Sequence, residues 1–216
     1  MFRSFLRFFA IAALTLLTAA PAFATPVSVA DLLDAKTDFA ADFYLLSGSK
    51  GDVRGSVLHA PGRERREFDT PTGRQALLLR RDIDEATMMW PERKWFVSTS
   101  FSAAAGMAGL SGGIESVMLD RKAAGKETIS GEPCARYDVN GTSEQGGEFH
   151  GRMWMTRDGI LMKAAGTLNF QGRETKIEIG LLNLQRVAAD PSAFVLPSDY
   201  KGLPLDFTKL GIKMPH

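Results

Sequence analysis

What most constrains this chain is a period of two that is repeatedly interrupted. From Asp38 onward, apolar residues recur at alternate positions over short runs, each ended by a Gly, Pro, Asn or Asp cluster. Alternation sends successive side chains to opposite faces, so each run reads as a half-buried strand. Phe39, Ala41, Phe43 and Leu45 share one parity, with Asp42 on the other. The next runs are Val53 to His59, Arg63 to Phe68 and Gln75 to Arg81, joined by turns at Ala60-Pro61-Gly62 and Asp69 to Gly73. Arg63, Arg65 and Arg66 are balanced by Glu64 and Glu67, which predicts a strand at a sheet edge or with a solvated face. The second half resumes with Glu132 to Val139, Gly147 to Thr156, Ile160 to Leu168 and Arg173 to Leu184. In the last, Thr175, Ile177, Ile179 and Leu181 oppose Glu174, Lys176 and Glu178. Asp158-Gly159 predicts a type I′ hairpin turn.

Thr87 to Trp90 and Trp95 to Ser98 flank Pro91 to Lys94, which predicts a hairpin in which Trp90 faces Trp95 and Met88 faces Val97. Ser28 caps an expected helix over Val29 to Lys36, with Asp31 three residues on and Val29, Leu32 and Leu33 as its apolar stripe. Residues 99–126 are small, apolar and glycine-spaced, and are expected to form one or two loose helices as a lid or surface loop. Asp190-Pro191 starts a further helical turn, and residues 201–216 form a tail along the body. About ten strands joined by short turns predict a mainly β chain. Its single antiparallel sheet would curl into an incomplete β-barrel, with short helices at the N-terminus and in a central lid.

The first 24 residues stand apart. Arg3 and Arg7 precede an apolar run from Phe8 to Leu17, and Ala22-Phe23-Ala24 supplies small residues for cleavage. This is the order of a secretory signal peptide, and the run is too short for a good membrane span. The expected mature chain is one domain from residue 25 to 216 with no transmembrane segment, exported to the periplasm. Cleavage removes two arginines and no acids, so the net charge moves from +1 to −1. Cys134, the one cysteine, excludes an intramolecular disulfide and reads as a buried thiol.

Little here points to chemistry. His59, His150 and His216 lack metal-ligand spacing and read as polar residues on exposed strand faces, so no metal and no cofactor is expected. No nucleophile elbow or phosphate loop is present. Asp82, Asp84 and Glu85 read as a solvated turn, and Asn140-Gly141-Thr142 as a chance sequon. Balanced charge argues against a nucleic-acid partner.

Several short motifs stand in a telling order: Phe39-Ala40-Ala41-Asp42-Phe43, Gly55, Pro61-Gly62-Arg63, Arg66-Glu67, Trp90 to Trp95, Gly151 to Met155, Asp158-Gly159-Ile160, Phe194 to Pro197 and Tyr200. Together they resemble the exported LolA and LolB lipoprotein carriers, in an uncharacterised branch. The resemblance implies an incomplete barrel around a hydrophobic cavity, lidded by helices. It also implies an arginine before the turn proline that helps hold the lid; here that residue is Ala60. On this reading the chain is a non-enzymatic binding protein for a lipid or a lipoprotein acyl chain. The cavity candidates are Met88, Trp90, Trp95, Val97, Met153, Met155, Ile177 and Ile179, with Met107 and Leu110 from the lid. Methionines suit a flexible ligand, though apolar residues at strand period are more often closed core. The alternative is an interaction or envelope-sensor module that docks a protein partner, with the charged strand Arg63 to Glu67 as its edge.

Overall fold

The computed structural model describes residues 26–48, 52–101, 103–104, 117–142, 147–170 and 172–203. They form one curled, unclosed sheet of thirteen strands and very little helix. In chain order the elements are β1 (Val27–Ser28), α1 (Val29–Leu33), β2 (Phe39–Ser47), β3 (Asp52–Ala60), β4 (Arg63–Thr70), β5 (Gly73–Arg80), β6 (Glu85–Trp90) and β7 (Trp95–Thr99). Then follow β8 (Met118–Ile129), β9 (Glu132–Thr142), β10 (Glu148–Met155), β11 (Leu161–Phe170), β12 (Arg173–Gln185) and β13 (Lys201–Gly202). The spatial order is β1-β8-β9-β10-β11-β12-β2-β3-β4-β5-β6-β7-β13. All pairings are antiparallel except β13 with β7. Thirteen strands replace the expected ten or so: β1 and β13 are two residues each, and β8 lies where no strand was expected.

Three sequence expectations change. Residues 118–126, expected in the lid, belong to β8. Its Asp-Arg-Lys-Ala-Ala-Gly run has no strand propensity, and eleven cross-strand partners on β9 decide the matter. The charged strand β4 is interior, between β3 and β5, and its acids and bases pair with one another. Asp158 keeps a negative φ and only Gly159 is left-handed (φ +86°), so the β10–β11 turn is a three-residue loop rather than type I′.

Cross-strand register sorts the side chains into two faces. One face carries α1. Its packing there buries Leu32, Leu119, Val139 and Met153 together. The opposite face of β3 to β7 is covered by the segment after β12. There Phe194, from a 3-10 turn capped by Asp190, packs on Ala76, Leu78 and Met89. A third cluster gathers Phe39, Phe43, Val57, Ile160, Met162 and Leu181 at the β12–β2 junction.

Two close approaches fix the curl. A side chain at Gly55 would strike the Glu67 carbonyl, and the Phe43 ring lies across that gap. Gly151 and Gly166 face each other across β10 and β11, and the Phe149 ring covers both; a Cβ at either would stand within 3 Å of it. Glycine is required where strands bend this sharply, and the neighbouring aromatic restores the lost contact area.

Candidate ligand-binding site

Ser28 Oγ accepts from the Asp31 N–H at 3.0 Å and starts α1 as expected. The helix ends at Leu33, short of the expected Lys36, because the sheet takes the next two residues. Asp34 Oδ1 accepts from the Gly62 N–H at 2.8 Å, and Ala35 O accepts from His59 Nε2 at 2.9 Å. Five residues cannot sustain a helix in water, so α1 persists through what it buries.

Between α1 and the sheet lies a pocket of about 200 Å3. It is lined by Val29, Leu32 and Leu33 of the helix, Val117 and Leu119 beside it, and Val139, Phe149, Met153, Leu161, Ala164, Ile177 and Ile179 of β9 to β12. Every lining side chain is apolar. The glycine pair matters here, since it lets the Phe149 ring lie flat as part of the wall. Beneath the end of α1 the wall turns polar, where Glu64 and Arg66 join Phe43, Leu161 and Ile179 around a much smaller cleft.

That polar edge is deeply buried. His59 is fully buried and Glu64 is 3% exposed, both against expectation. His59 stacks on Phe39, and its Nδ1 sits 3.5 Å from Glu64 Oε2. Arg66 Nε donates to Glu64 Oε1 at 2.7 Å. Burial alone would raise the Glu64 pKa. The Arg66 charge, hydrogen bonds from His59 and Arg66, and the Arg81 charge outweigh it and hold the pKa at about 2. Arg81 spans Asp34 Oδ1 at 3.5 Å and the Phe101 ring at 5.4 Å. Ala60 packs against the cluster on the opposite face. It is His59, one residue earlier, that reaches the α1 segment.

Of the residues singled out from sequence, Met153, Ile177 and Ile179 line the pocket, and Met155 packs against the same cluster. Met88, Trp90, Trp95 and Val97 share that face on β6 and β7, away from the pocket. Trp90 does pair with Trp95, which is 37% exposed under Arg93. Met107, Leu110 and residues 1–24 lie outside the described residues. The sequence reading did not assign Val29, Leu32 or Leu33 to the site, although their stripe needed an apolar partner. Val117 and Leu119 were hidden in the expected lid.

Other candidates resolve into structure. Asp82 pairs with Arg63, Asp84 Oδ1 accepts from the Phe101 N–H, and Glu85 pairs with Arg80. The Cys134 thiol is buried and donates to Glu132 O, and burial pushes its pKa up. Among the described residues no group of His, Cys, Asp and Glu is placed to hold a metal ion, and no helix is long and apolar enough to cross a membrane. A broader open trough of about 780 Å3 lies mostly on the opposite face, but its Asp138 and Arg152 pair with each other, and its Glu178 accepts from Tyr44 and pairs with Lys163.

No protein-family model matches the chain, and no curated protein does. Among solved structures, an uncharacterised conserved protein from Thermus thermophilus aligns with a TM-score of 0.50 and 12% identity, over 78% of this chain and 90% of that one. At that identity the likeness is one of fold. Pseudomonas aeruginosa MucB, solved in complex with MucA, aligns at a TM-score of 0.49 and 14% identity, over 82% of this chain and 62% of that one. The chain thus spans under two thirds of the MucB length. A putative outer membrane lipoprotein-sorting protein domain from Vibrio parahaemolyticus gives 0.38 and 12% identity, over 76% of this chain and 91% of that one.

Proposed function

We propose that the chain is a non-enzymatic binding protein of the periplasm that seats an acyl-bearing ligand between α1 and the sheet. The observation that carries this reading is the pocket itself: apolar on every side and roofed by a helix too short to stand alone. Cavities of about 150 Å3 with such walls stay dry and take up small apolar molecules. Transfer of an acyl chain from water is worth about 0.8 kcal/mol per buried CH2 before ordering costs. A pocket of about 200 Å3 takes a short stretch of chain as it stands, and more if α1 lifts. Docking a protein partner through Arg63 to Glu67 is disfavoured, because β4 is interior and its charges already pair with each other.

Native mass spectrometry of the protein isolated from its own envelope tests the proposal. A co-purifying acyl lipid, lost in a Met153→Glu, Ile179→Glu double variant that still folds, is the expected result. Undiminished lipid in that variant overturns the site. A lipid-free protein held in a stable protein complex overturns the acyl reading.

A further inference from the structure

The register of β8 to β12 says what kind of acyl ligand fits. On the face that carries α1, the strands present Leu119, Arg121 and Ala123, then Lys126 beyond a bulge, from β8. They present Ala135, Tyr137, Val139 and Gly141 from β9, and Phe149, Gly151, Met153 and Met155 from β10. From β11 and β12 come Ala164, Gly166, Leu168, Thr175, Ile177, Ile179 and Leu181. Among the described residues of β8 to β12, the charges on this face are Arg121, Lys126 and, at the start of β12, Arg173. All three are positive, and no carboxylate of these strands joins them; Glu64 of β4, further along the face, is held by Arg66.

Arg121 sits at the rim of the pocket. It pairs across the strands with Val139, a lining residue. Its guanidinium lies 5.3 Å over the Tyr137 ring and 4.0 Å from Met155 Sδ. Tyr137 and Met155 are in turn the cross-strand neighbours of Met153 and Leu161, which also line the pocket. The side chain is partly buried, and among the described residues it has no carboxylate partner, whereas Arg63, Arg65, Arg66, Arg80, Arg152 and Arg186 each have one. A guanidinium packed on an aromatic ring beside an apolar cavity, with one N–H given to Met155 Sδ and no carboxylate among the described residues to take the others, is built to take an anion.

We propose that the ligand is an anionic amphiphile: an apolar chain in the pocket with a carboxylate or phosphate at its end held by Arg121, and Lys126 lending charge from the exposed end of β8. This rests on the acyl-binding reading above and adds the headgroup to it.

Calorimetric titration at pH 8 with dodecanoate, dodecyl phosphate and uncharged dodecanol separates the two claims. The chain is expected to bind at least one anion about tenfold or more tighter than dodecanol, the scale of one charge-assisted hydrogen-bonded contact. Whichever anion binds tighter names the headgroup source. Arg121→Gln should bring the anion down to the affinity of dodecanol and leave dodecanol unchanged, while Lys126→Gln should have a smaller effect. Equal affinity for dodecanol and both anions in the unmodified chain overturns the headgroup and leaves the pocket standing, and needs no variant to fold. Failure to bind any of the three overturns the acyl reading itself.

Discussion

Glu64 offers the sharpest test of the buried polar edge. The perturbation is Glu64→Gln, which keeps the shape and removes the charge. The ordinary carboxyl value of 4.5 falls to about 2 in the fold, which corresponds to about 3 kcal/mol of stabilisation by the surrounding cations and donors. The general cost of unpairing a buried charge, about 3–5 kcal/mol, points to the same size. Because the folded value is the lower one, this stability is complete above the unfolded pKa of about 4.5. It fades as pH falls toward the folded value, with about half lost near pH 3. Urea unfolding followed by tryptophan fluorescence at pH 7, 5, 4 and 3 reads it directly. The variant should be about 3 kcal/mol less stable at pH 7, and the gap should narrow steadily below about pH 4.5. A loss under about 0.5 kcal/mol at pH 7, or a gap that does not change with pH, would refute the reasoning.

Other outcomes follow from the same geometry. Gly151→Ala should cost about 1–3 kcal/mol, since the new methyl meets the Gly166 backbone at 2.8 Å and the Phe149 ring at 2.9 Å. Thermal unfolding should then drop by roughly 2–4 °C per kcal/mol, and an unshifted midpoint would mean that the sheet is not pinched there. Asp158, hydrogen-bonded by Arg186 and by Thr156, should titrate near pH 2 by carboxyl NMR. Arg186→Met should carry that midpoint up toward the usual value of about 3.9, and no movement would dissolve the clamp that Arg186 forms with Asp158 and Glu132. Phe194→Ala should cost about 3–5 kcal/mol in denaturant melts, because the ring is 2% exposed; a near-neutral result would argue against the packing of the C-terminal segment on β5 and β6.

Much of the scaffold could be read from alternation and turn chemistry. Phe39, Ala41 and Phe43 are buried on one parity, the Trp90–Trp95 register holds, and Ser28 and Asp190 cap where they should. These are local signals, carried by residues close in sequence. What could not be read depends on distant partners. β8 is a strand because β9 supplies its ladder, not because its Lys, Ala and Gly residues favour one. His59 and Glu64 look like solvent-facing polar residues until Ala35 and Arg66 close over them. The site was half legible for the same reason: Met153, Ile177 and Ile179 follow from strand parity, but α1 and Leu119 join them only through tertiary packing.

The strand order has a consequence for how the molecule can be assembled. β2 to β7 is one meander and β8 to β12 another, and within each every strand lies beside its chain neighbour. They are welded at a single seam, where Phe43 meets Leu181 and Ser47 meets Ile177. Closing so long a loop costs roughly 4 kcal/mol of chain entropy, most of it for that one joint. A circular permutant that begins at β8 and links the two ends of the chain, keeping α1 and the segment after β12 between β12 and β2, would shorten the stretch that must close that seam. Its strands would run in sequence from one end of the sheet almost to the other. Such a chain should fold faster than the natural one while keeping the pocket, because every wall of that pocket except the α1 roof and Val117 comes from the second meander alone.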